Sequence, residues 1–361
     1  MAKYKRKKPD AVIIFLTLVI LAIGITMIMT SSSAFAINNT NPPDPYYFVK
    51  RQIMLAGIGA AGAVVAILMP YRFFRLLAVP GVILSAGAFA LLRTDFAVEV
   101  NDAYRWINVA GIQFQPSETA KVALILFLAW WMARRPVSSI KQIILPLILI
   151  GAFLLFILKE PDLGTAIVIA GGCACLLLQT RISPWLFVAV TPVAAAAVAW
   201  KVSTTPYQMA RVIGWLNPWE NSAGIGLQYV QSQLAFARGG LFGVGIGASE
   251  QKYRLPESHT DSIFAIIGEE LGFFLALLLV VLFALLLFRC FDVASKCRDD
   301  FGRYLAFGLT AMTALQVCVN MSVMTGLMPI TGLTLPLVSY GGTSLVITML
   351  SIGMIVSVSR G

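Results

Sequence analysis

Four groups of charged and polar residues stand at the ends of long apolar runs in this sequence. Ionisable side chains in or beside membrane helices are costly, so they mark functional sites by default. The group richest in chemistry covers residues 256–261 (PESHTD) and is followed by Glu269 and Glu270. Partial burial at the mouth of a helix raises the pKa of a carboxyl group, which would suit Asp261 to act as a general base. The alternative is that Asp261 caps the following helix.

A second group joins a cationic and an aromatic residue to an acid–base pair. Arg105 and Trp106 precede residues 115–118 (QPSE) and Lys121. The proline can open a helix, because the N–H that it lacks would have no helical partner there. Glu118 and Lys121 are three residues apart and can pair on one helix face. They are therefore either a substrate-binding pair or a buried structural ion pair.

The third group, residues 159–165 (KEPDLGT), places two acids and a lysine at a predicted helix start. Asp162 stands where a helix cap would stand, and capping alone would explain it. The group nevertheless carries more charge than a cap needs. We therefore also expect Asp162 to contact the substrate.

The fourth group is the stretch 329–344 (PITGLTLPLVSYGGTS), in which prolines and glycines interrupt an apolar run. Irregular backbone at membrane depth is tolerated where it is buried in protein or lines a cavity. Ser339 and Tyr340 are therefore candidates for substrate contact. The alternative is close helix packing through small residues.

Several chemistries are disfavoured by what the sequence contains. His259 is the only histidine, which excludes a metal site built from several histidines. The five cysteines fall in apolar runs or in a predicted cytoplasmic loop, so no disulfide framework is implied. No Walker motif is present, and the alternating Gly243, Gly245 and Gly247 have no strand context for nucleotide binding, which disfavours a nucleotide-sugar donor. An activated sugar would have to arrive on a lipid.

The elements that must position these groups are membrane helices. Of the 361 residues, 58% are hydrophobic and 12% charged, against about 45–50% and about 25% in soluble domains. The apolar runs are continuous rather than alternating, which favours helices over a β-barrel. We expect an all-α polytopic membrane protein with a single integral membrane domain over residues 1–361. The ten predicted spans are 11–29, 48–69, 76–92, 117–133, 143–158, 163–179, 184–200, 263–288, 303–325 and 336–358.

Two stretches between the spans are predicted extracytoplasmic loops. One covers residues 93–116. The other, residues 201–262 between spans 7 and 8, is the only long polar stretch. Its apolar part, 234–247, could dip into the membrane interface.

The distribution of lysine and arginine predicts the orientation. If the N-terminus is placed in the cytoplasm, the segments inside hold sixteen of these residues and the short segments outside hold five. Cytoplasmic loops carry such an excess, so both termini are predicted to be cytoplasmic. The same rule accounts for most of the net charge of +10, and no nucleic-acid partner is implied.

Together the four groups resemble the SEDS family (shape, elongation, division and sporulation) over nearly the whole chain. The resemblance implies a peptidoglycan glycosyltransferase of the bacterial inner membrane that polymerises lipid II in cell division or related cell-wall synthesis. Asn217-Pro218-Trp219 and Ser258 favour the FtsW and SpoVE branch, whereas Ser262 departs from the phenylalanine usual in the family. The matching strings are RWI at 105–107, QPSE at 115–118, PDLGTA at 161–166, PESHTD at 256–261, GEELG at 268–272 and GLTLPLVSYGGTS at 332–344.

The resemblance and the local chemistry both assign proton abstraction to Asp261. The acceptor hydroxyl loses its proton as it attacks, and undecaprenyl pyrophosphate leaves without needing a second acid, unlike in hydrolases. The sequence assigns no cofactor. A divalent cation is compatible with pyrophosphate, and no metal ligand is assigned. The predicted substrate-binding residues are Arg105, Trp106, Glu118, Lys121, Asp162, Arg211, Gln231, Lys252, His259, Thr260, Glu269, Ser339 and Tyr340.

The implied partners are lipid II, the growing glycan strand and a class B penicillin-binding protein bound through membrane helices. Other divisome or elongasome proteins are also implied. Small residues at 55–66 could let a partner helix approach closely. Two other functions stay open, namely a flippase or transporter for the lipid-linked precursor and a non-catalytic scaffold that activates the penicillin-binding protein. Buried charges and broken helices also suit a transporter, but no inverted repeat is evident.

Overall fold

The computed structural model describes residues 8–100, 103–109, 112–134, 137–160 and 162–361. Residues 3–7 of the basic segment, Arg135, Pro161 and parts of the loop 93–116 lie outside the described residues. The helices are α1 Ala11–Asn39, α2 Tyr47–Leu68, α3 Ala78–Leu91, α4 Pro116–Arg134, α5 Ile144–Lys159, α6 Leu163–Leu177, α7 Pro184–Thr204, α8 Pro206–Leu216, α9 Leu227–Gly239, α10 Ile263–Lys296, α11 Asp300–Met324 and α12 Gly342–Ser359. The strands are β1 Ala97–Val100, β2 Ala103–Val109 and β3 Ile112–Phe114.

A helix occupies each of the ten stretches predicted to span the membrane, although the last begins at Gly342 rather than at residue 336. In the part of the chain that the structure describes, seven helices are long and apolar enough to cross a membrane. Helices α5 and α6 have 16 and 15 residues, which at about 1.5 Å per residue is shorter than a bilayer core of about 30 Å. The chain is a multi-pass membrane protein built of helices apart from one small sheet, and the count of ten spans remains a prediction.

The predicted loop 93–116 contains a small antiparallel sheet in the order β1-β2-β3. Trp106 of β2 pairs with Val98 of β1. The Thr343 hydroxyl at the start of α12 accepts a hydrogen bond from the N–H of Gln115 at 3.1 Å and donates to the carbonyl of Gln113 at 3.2 Å. The sheet is thereby fixed to one end of the helix bundle, which we call the sheet end.

The predicted loop 201–262 contains two helices, α8 and α9. After α9, residues 240–245 pack against α10 at Gly272, where the helix is interrupted by a φ of 75°. Main-chain N–H groups of Val244 and Gly245 donate to α10 carbonyls at 3.0 Å. A Cβ on Gly243 would lie 2.3 Å from the carbonyl oxygen of Glu270. The alternating glycines thus let one backbone satisfy the carbonyls of a broken helix, as membrane burial requires.

The helices α4, α11 and α12 form the centre of the bundle, with most of their residues buried. The small residues of α2 pack against α12, where a Cβ on Gly353 would lie 2.7 Å from the carbonyl oxygen of Ala63. Such close approach is typical of membrane helices with small residues. This face of the stretch 55–66 is therefore occupied within the chain. Gly57, Ala60 and Ala61 on the same stretch are exposed, so that close approach of a partner helix there stays a prediction.

The end of the bundle opposite the sheet, which we call the far end, holds ion pairs between helix termini. Arg289 of α10 bonds Asp10, the N-cap of α1, at 2.9 Å, and Arg75 bonds Asp299, the N-cap of α11, at 2.7 Å. Arg360 also lies there, with its guanidinium 2.5 Å from the carbonyl oxygen of Ile67. These three arginines, all counted among the predicted inside residues, therefore lie at one end of the molecule.

Candidate active site

A cavity of about 510 Å³ opens at the sheet end of the bundle. It is lined by the sheet, by the segment before α10 and by several helix ends. Residues 329–341, the irregular segment before α12 that we call the broken stretch, complete the lining. Asp261 and eight of the predicted substrate-binding residues face it, although they are scattered along the chain. The eight are Arg105, Trp106, Glu118, Asp162, Arg211, His259, Thr260 and Tyr340.

Asp261 does not cap the helix that follows it. Helix α10 begins after Ser262, whose side chain makes no cap hydrogen bond. The Asp261 carboxylate instead accepts a hydrogen bond from the Gln228 amide at 3.2 Å and a longer one, at 3.3 Å, from the Thr260 hydroxyl, whose nearer acceptor is the Glu257 carboxylate at 2.8 Å. Its side chain is therefore held by other side chains and faces the cavity.

The surroundings of Asp261 favour the protonated form more than water does. Burial, and secondly the charge of the nearby Glu257 carboxylate, raises the pKa of its carboxyl group to about 6. The Gln228 hydrogen bond and the Arg211 guanidinium act in the opposite direction. A carboxylate with a pKa near the working pH can accept and release a proton readily.

Asp162 on another wall of the cavity has a different role. One of its oxygens accepts from the N–H of Thr165 at 3.0 Å and so caps α6. Its other oxygen lies 3.5 Å from the Gln115 amide nitrogen. Burial, and secondly the charge of Asp162, raises the pKa of neighbouring Glu160 to about 8. Arg105 reaches this wall by donating to the Glu160 carbonyl at 2.7 Å.

Glu118 and Lys121 form the buried pair that their spacing predicts. The Lys121 ammonium bonds the Glu118 carboxylate at 2.8 Å and the Gln316 amide oxygen at 2.6 Å. Both charged side chains are about 5% exposed. Glu118 faces the cavity, whereas Lys121 lies behind it. Lys121 therefore neutralises and orients Glu118 from beneath.

An aromatic cluster surrounds His259 at the α1 and α2 side of the cavity. Its ring centroid is 4.5 Å from that of Phe48, 5.3 Å from that of Phe35 and 5.7 Å from that of Tyr340. Burial lowers the pKa of the imidazole, which favours its neutral form. The N–H of Tyr340 donates to the His259 carbonyl at 2.8 Å and so joins the broken stretch to the segment of Asp261.

Five predicted substrate-binding residues do not line the cavity, namely Lys121, Gln231, Lys252, Glu269 and Ser339. Glu269 is fully buried and accepts from the Ser249 hydroxyl at 2.5 Å and from the N–H of Gln251 at 3.2 Å. Glu269 therefore holds residues 249–251, the loop that follows the alternating glycines, against α10. The sequence alone cannot distinguish a glutamate with this structural role from one that binds substrate.

The other residues outside the cavity also have local partners or lie elsewhere. The Lys252 ammonium donates to the carbonyl of Gly247 at 2.7 Å. The Ser339 hydroxyl accepts from the N–H of Leu335 at 2.8 Å and shapes the broken stretch. Gln231 lies on α9.

Sequence reasoning missed Arg51 and Gln228, and it assigned no role to Glu257. Arg51 of α2 lines the cavity and donates to the Tyr47 hydroxyl at 3.1 Å. Its position in an apolar span was a usable indication, since a charge there is costly. Gln228 had no comparable indication, because it reaches Asp261 only through the packing of α9.

The described residues contain no group of three or more histidine, cysteine, aspartate or glutamate side chains arranged to hold a metal ion. The cavity instead combines the carboxylates of Glu118, Asp162, Glu257 and Asp261 with the guanidinium groups of Arg51, Arg105 and Arg211. Such a lining can bind phosphate through arginine and accept a proton through a carboxylate.

Comparison with known proteins shows which family the chain belongs to. Residues 10–361 match the family model described as cell cycle protein, covering FtsW, RodA and SpoVE. The chain is 36% identical to the probable peptidoglycan glycosyltransferase FtsW of Trichlorobacter lovleyi, over 98% of this chain and 93% of that protein. It is also 36% identical to stage V sporulation protein E of Bacillus subtilis, over 99% and 98%.

Solved structures show the same fold. A chain from a peptidoglycan synthase complex that coordinates polymerization and crosslinking matches with a TM-score of 0.79 at 32% identity, over 98% of both chains. The rod shape determining protein RodA of Thermus thermophilus matches with a TM-score of 0.70 at 30% identity, over 98% of this chain and 97% of that one. With a family match over almost its full length, the chain belongs to the FtsW, RodA and SpoVE family of cell cycle membrane proteins.

Proposed function

We propose that this chain is a peptidoglycan glycosyltransferase that polymerises lipid II into glycan strands, with Asp261 as the general base. The observation that carries the proposal is the Asp261 carboxylate, which faces the cavity, does not cap a helix and has a pKa raised to about 6. The names of the relatives support the same activity, since one is a probable peptidoglycan glycosyltransferase.

In the proposed reaction, Asp261 takes the proton from a hydroxyl of the acceptor sugar as that oxygen attacks the anomeric carbon of the donor. The new glycosidic bond forms while the bond between that carbon and the pyrophosphate oxygen breaks. The electron pair leaves with undecaprenyl pyrophosphate, so no protonated acid is needed for the leaving group. A positioned base typically contributes about 10²–10⁴-fold to the rate.

The pyrophosphate is assigned to the guanidinium groups of the cavity. Arg211 of α8 lies close enough to influence the pKa of Asp261 and is held by the Tyr207 hydroxyl at 2.5 Å. Arg105 approaches from the sheet, and Arg51 adds a third cation from α2. Arginine binds phosphate oxygens in a fixed geometry. Trp106, Glu118, Asp162, His259, Thr260 and Tyr340 are the remaining cavity residues assigned to substrate.

The residues that lie away from the cavity are proposed in supporting roles. Lys121 holds Glu118, Ser339 shapes the broken stretch, and Glu269 holds the loop that follows α9. Gln231 and Lys252 lie on the same long segment as α8 and α9, and a direct contact with the lipid or glycan would require that segment to move.

The protein is proposed to lie in the bacterial inner membrane as one integral membrane domain, with the sheet end outside and both termini in the cytoplasm. The far end supports this orientation through its Arg75, Arg289 and Arg360 side chains. A class B penicillin-binding protein is the proposed partner through membrane helices, since the solved relative belongs to a complex that couples polymerization to crosslinking. Other divisome or elongasome proteins would join that assembly.

Purified protein incubated with labelled lipid II tests the function directly. We expect glycan polymer from the wild type and polymerisation slower by about 10²–10⁴-fold from Asp261→Asn at matched folding and lipid II binding. Movement of intact lipid II across a vesicle membrane without polymer would indicate a flippase instead. Neither polymer nor movement, with stimulation of a penicillin-binding protein, would indicate a scaffold.

A further inference from the structure

Asn320 is a buried carboxamide on α11, beneath the cavity, and the proposed reaction gives it no role. Its side chain is only 1% exposed. Its amide nitrogen donates to the carbonyl oxygen of Asp261 at 2.9 Å and to that of Leu333 at 2.6 Å. One amide group therefore joins the segment of the proposed base to the broken stretch before α12.

Both carbonyls lie where the helices provide no regular partner. The N–H of Ala265 donates to the carbonyl of Ser262 at 3.0 Å, so the first turn of α10 begins after Asp261. Leu333 belongs to the irregular stretch between α11 and α12. A buried carbonyl left without a donor costs about 1–3 kcal/mol. Asn320 provides the donor for both of these groups.

The orientation of the Asn320 amide is set by these two bonds. The amide oxygen has no hydrogen-bond partner among the described residues. Reversing the amide would place that oxygen against both carbonyls, which can only accept. The side chain therefore tolerates one unsatisfied oxygen to keep its nitrogen on Asp261 and Leu333.

Gln316, one helical turn earlier, attaches the next residue of the broken stretch. Its amide nitrogen donates to the carbonyl of Thr334 at 3.0 Å, and its oxygen accepts from Lys121 at 2.6 Å. Residues four apart share one face of a helix. Helix α11 thus holds two successive carbonyls of the broken stretch and ties one to Asp261 and the other to Lys121.

We propose that Asn320 is a positioning residue that fixes the main chain of Asp261 against residues 329–341, so that the carboxylate meets the acceptor hydroxyl. This inference rests on the proposed glycosyltransferase function. Gln228 and Thr260 orient the carboxylate, whereas Asn320 determines where its backbone stands. Displacement of a reacting group by 1 Å can cost about 10²-fold in rate.

Two substitutions test the role in the full-length protein. Asn320→Asp keeps the shape but replaces the donor with an oxygen, and Asn320→Ala removes the group. We expect kcat for lipid II polymerisation to fall about 10²-fold in both, with much less change in KM, because a misplaced base affects the transition state rather than binding. The control is Thr310→Val on the same helix, which is buried and bonds only its own helix carbonyl in the described structure.

Hydrogen–deuterium exchange measures the positioning without relying on activity. Backbone amides of residues 257–262 and 331–335 should exchange faster in both Asn320 variants than in the wild type. In Thr310→Val the exchange rates of these amides should equal those of the wild type. Wild-type exchange and kcat in both variants would overturn the proposal. Failure of both to fold would also overturn it, by making Asn320 a residue of general stability. If the wild type makes no polymer but the exchange pattern holds, the glycosyltransferase function fails and the positioning role stands.

Discussion

Asp162 and Asp261 occupy similar places in the sequence, directly before a membrane helix, yet the structure uses them differently. Asp162 is the N-cap of α6 and accepts from the N–H of Thr165. Asp261 stands one residue before the N-cap of α10, and its carboxylate is held by Gln228 and Thr260. Both carboxylates face the cavity, and a shift of one residue therefore separates one that caps a helix from one that is free of a helix and has a raised pKa.

The largest effect on activity is expected from substitution of Asp261. Asp261→Asn keeps the shape and removes the base, so kcat should fall about 10²–10⁴-fold. The melting temperature should not fall, because the substitution removes a buried charge. Steady-state polymerisation at saturating lipid II and thermal unfolding measure the two quantities. Near-normal polymer at matched expression would return Asp261 to a structural role.

A smaller effect is expected at the buried pair beside these acids. Lys121→Met leaves Glu118 buried without its cation, and breaking such a pair costs about 3–5 kcal/mol of folding stability. Lys296→Met is the matched control, since Lys296 forms an exposed pair with Asp292 worth about 0–1 kcal/mol. Thermal or denaturant unfolding in the same detergent measures both. Equal losses in the two variants would show that Glu118 does not depend on Lys121.

The pH dependence of polymerisation tests the ionisation of Asp261. Only ionised Asp261 can act as a base, and its pKa in the protein without substrate is about 6, so kcat/KM should fall as the pH is lowered through about 6. The Glu257 carboxylate contributes to that raised pKa. Glu257→Gln should therefore move the acid limb of the profile to lower pH.

Glu250→Gln is the control for this profile, because Glu250 is an exposed carboxylate paired with Arg238. Its substitution should leave the acid limb in place. An unchanged profile for Glu257→Gln would mean that the charge of Glu257 does not act on the proposed base.

The smallest effect is expected at Asp162. Asparagine caps a helix about as well as aspartate, whereas alanine costs about 0.5–2 kcal/mol. Asp162→Asn should therefore keep most of the polymerisation activity and nearly all of the stability, and Asp162→Ala should lower the melting temperature. A loss of activity in Asp162→Asn as large as in Asp261→Asn would show that capping is not its main role.

The positions of the membrane helices could be predicted because a bilayer demands long apolar runs. The groups around Arg105, Glu118, Asp162 and Asp261 could be predicted because charge beside such runs is costly. The sheet of β1–β3 was missed, since its short strands alternate too briefly to be distinguished from a loop. Helices α8 and α9 were missed because they lie in a stretch whose polar residues suggested a loop.

The sequence alone determined the membrane class, the helix positions and the residue types at the cavity, because these follow from local hydropathy and charge. It left open whether Asp162 or Asp261 caps a helix, and it could not distinguish Glu269, which holds a loop, from a substrate-binding acid. Tertiary structure decided those points, because they depend on which donor the packing brings within hydrogen-bond distance. Asn320 reaches Asp261 only when α11 packs beneath the cavity, and no local pattern encodes that contact.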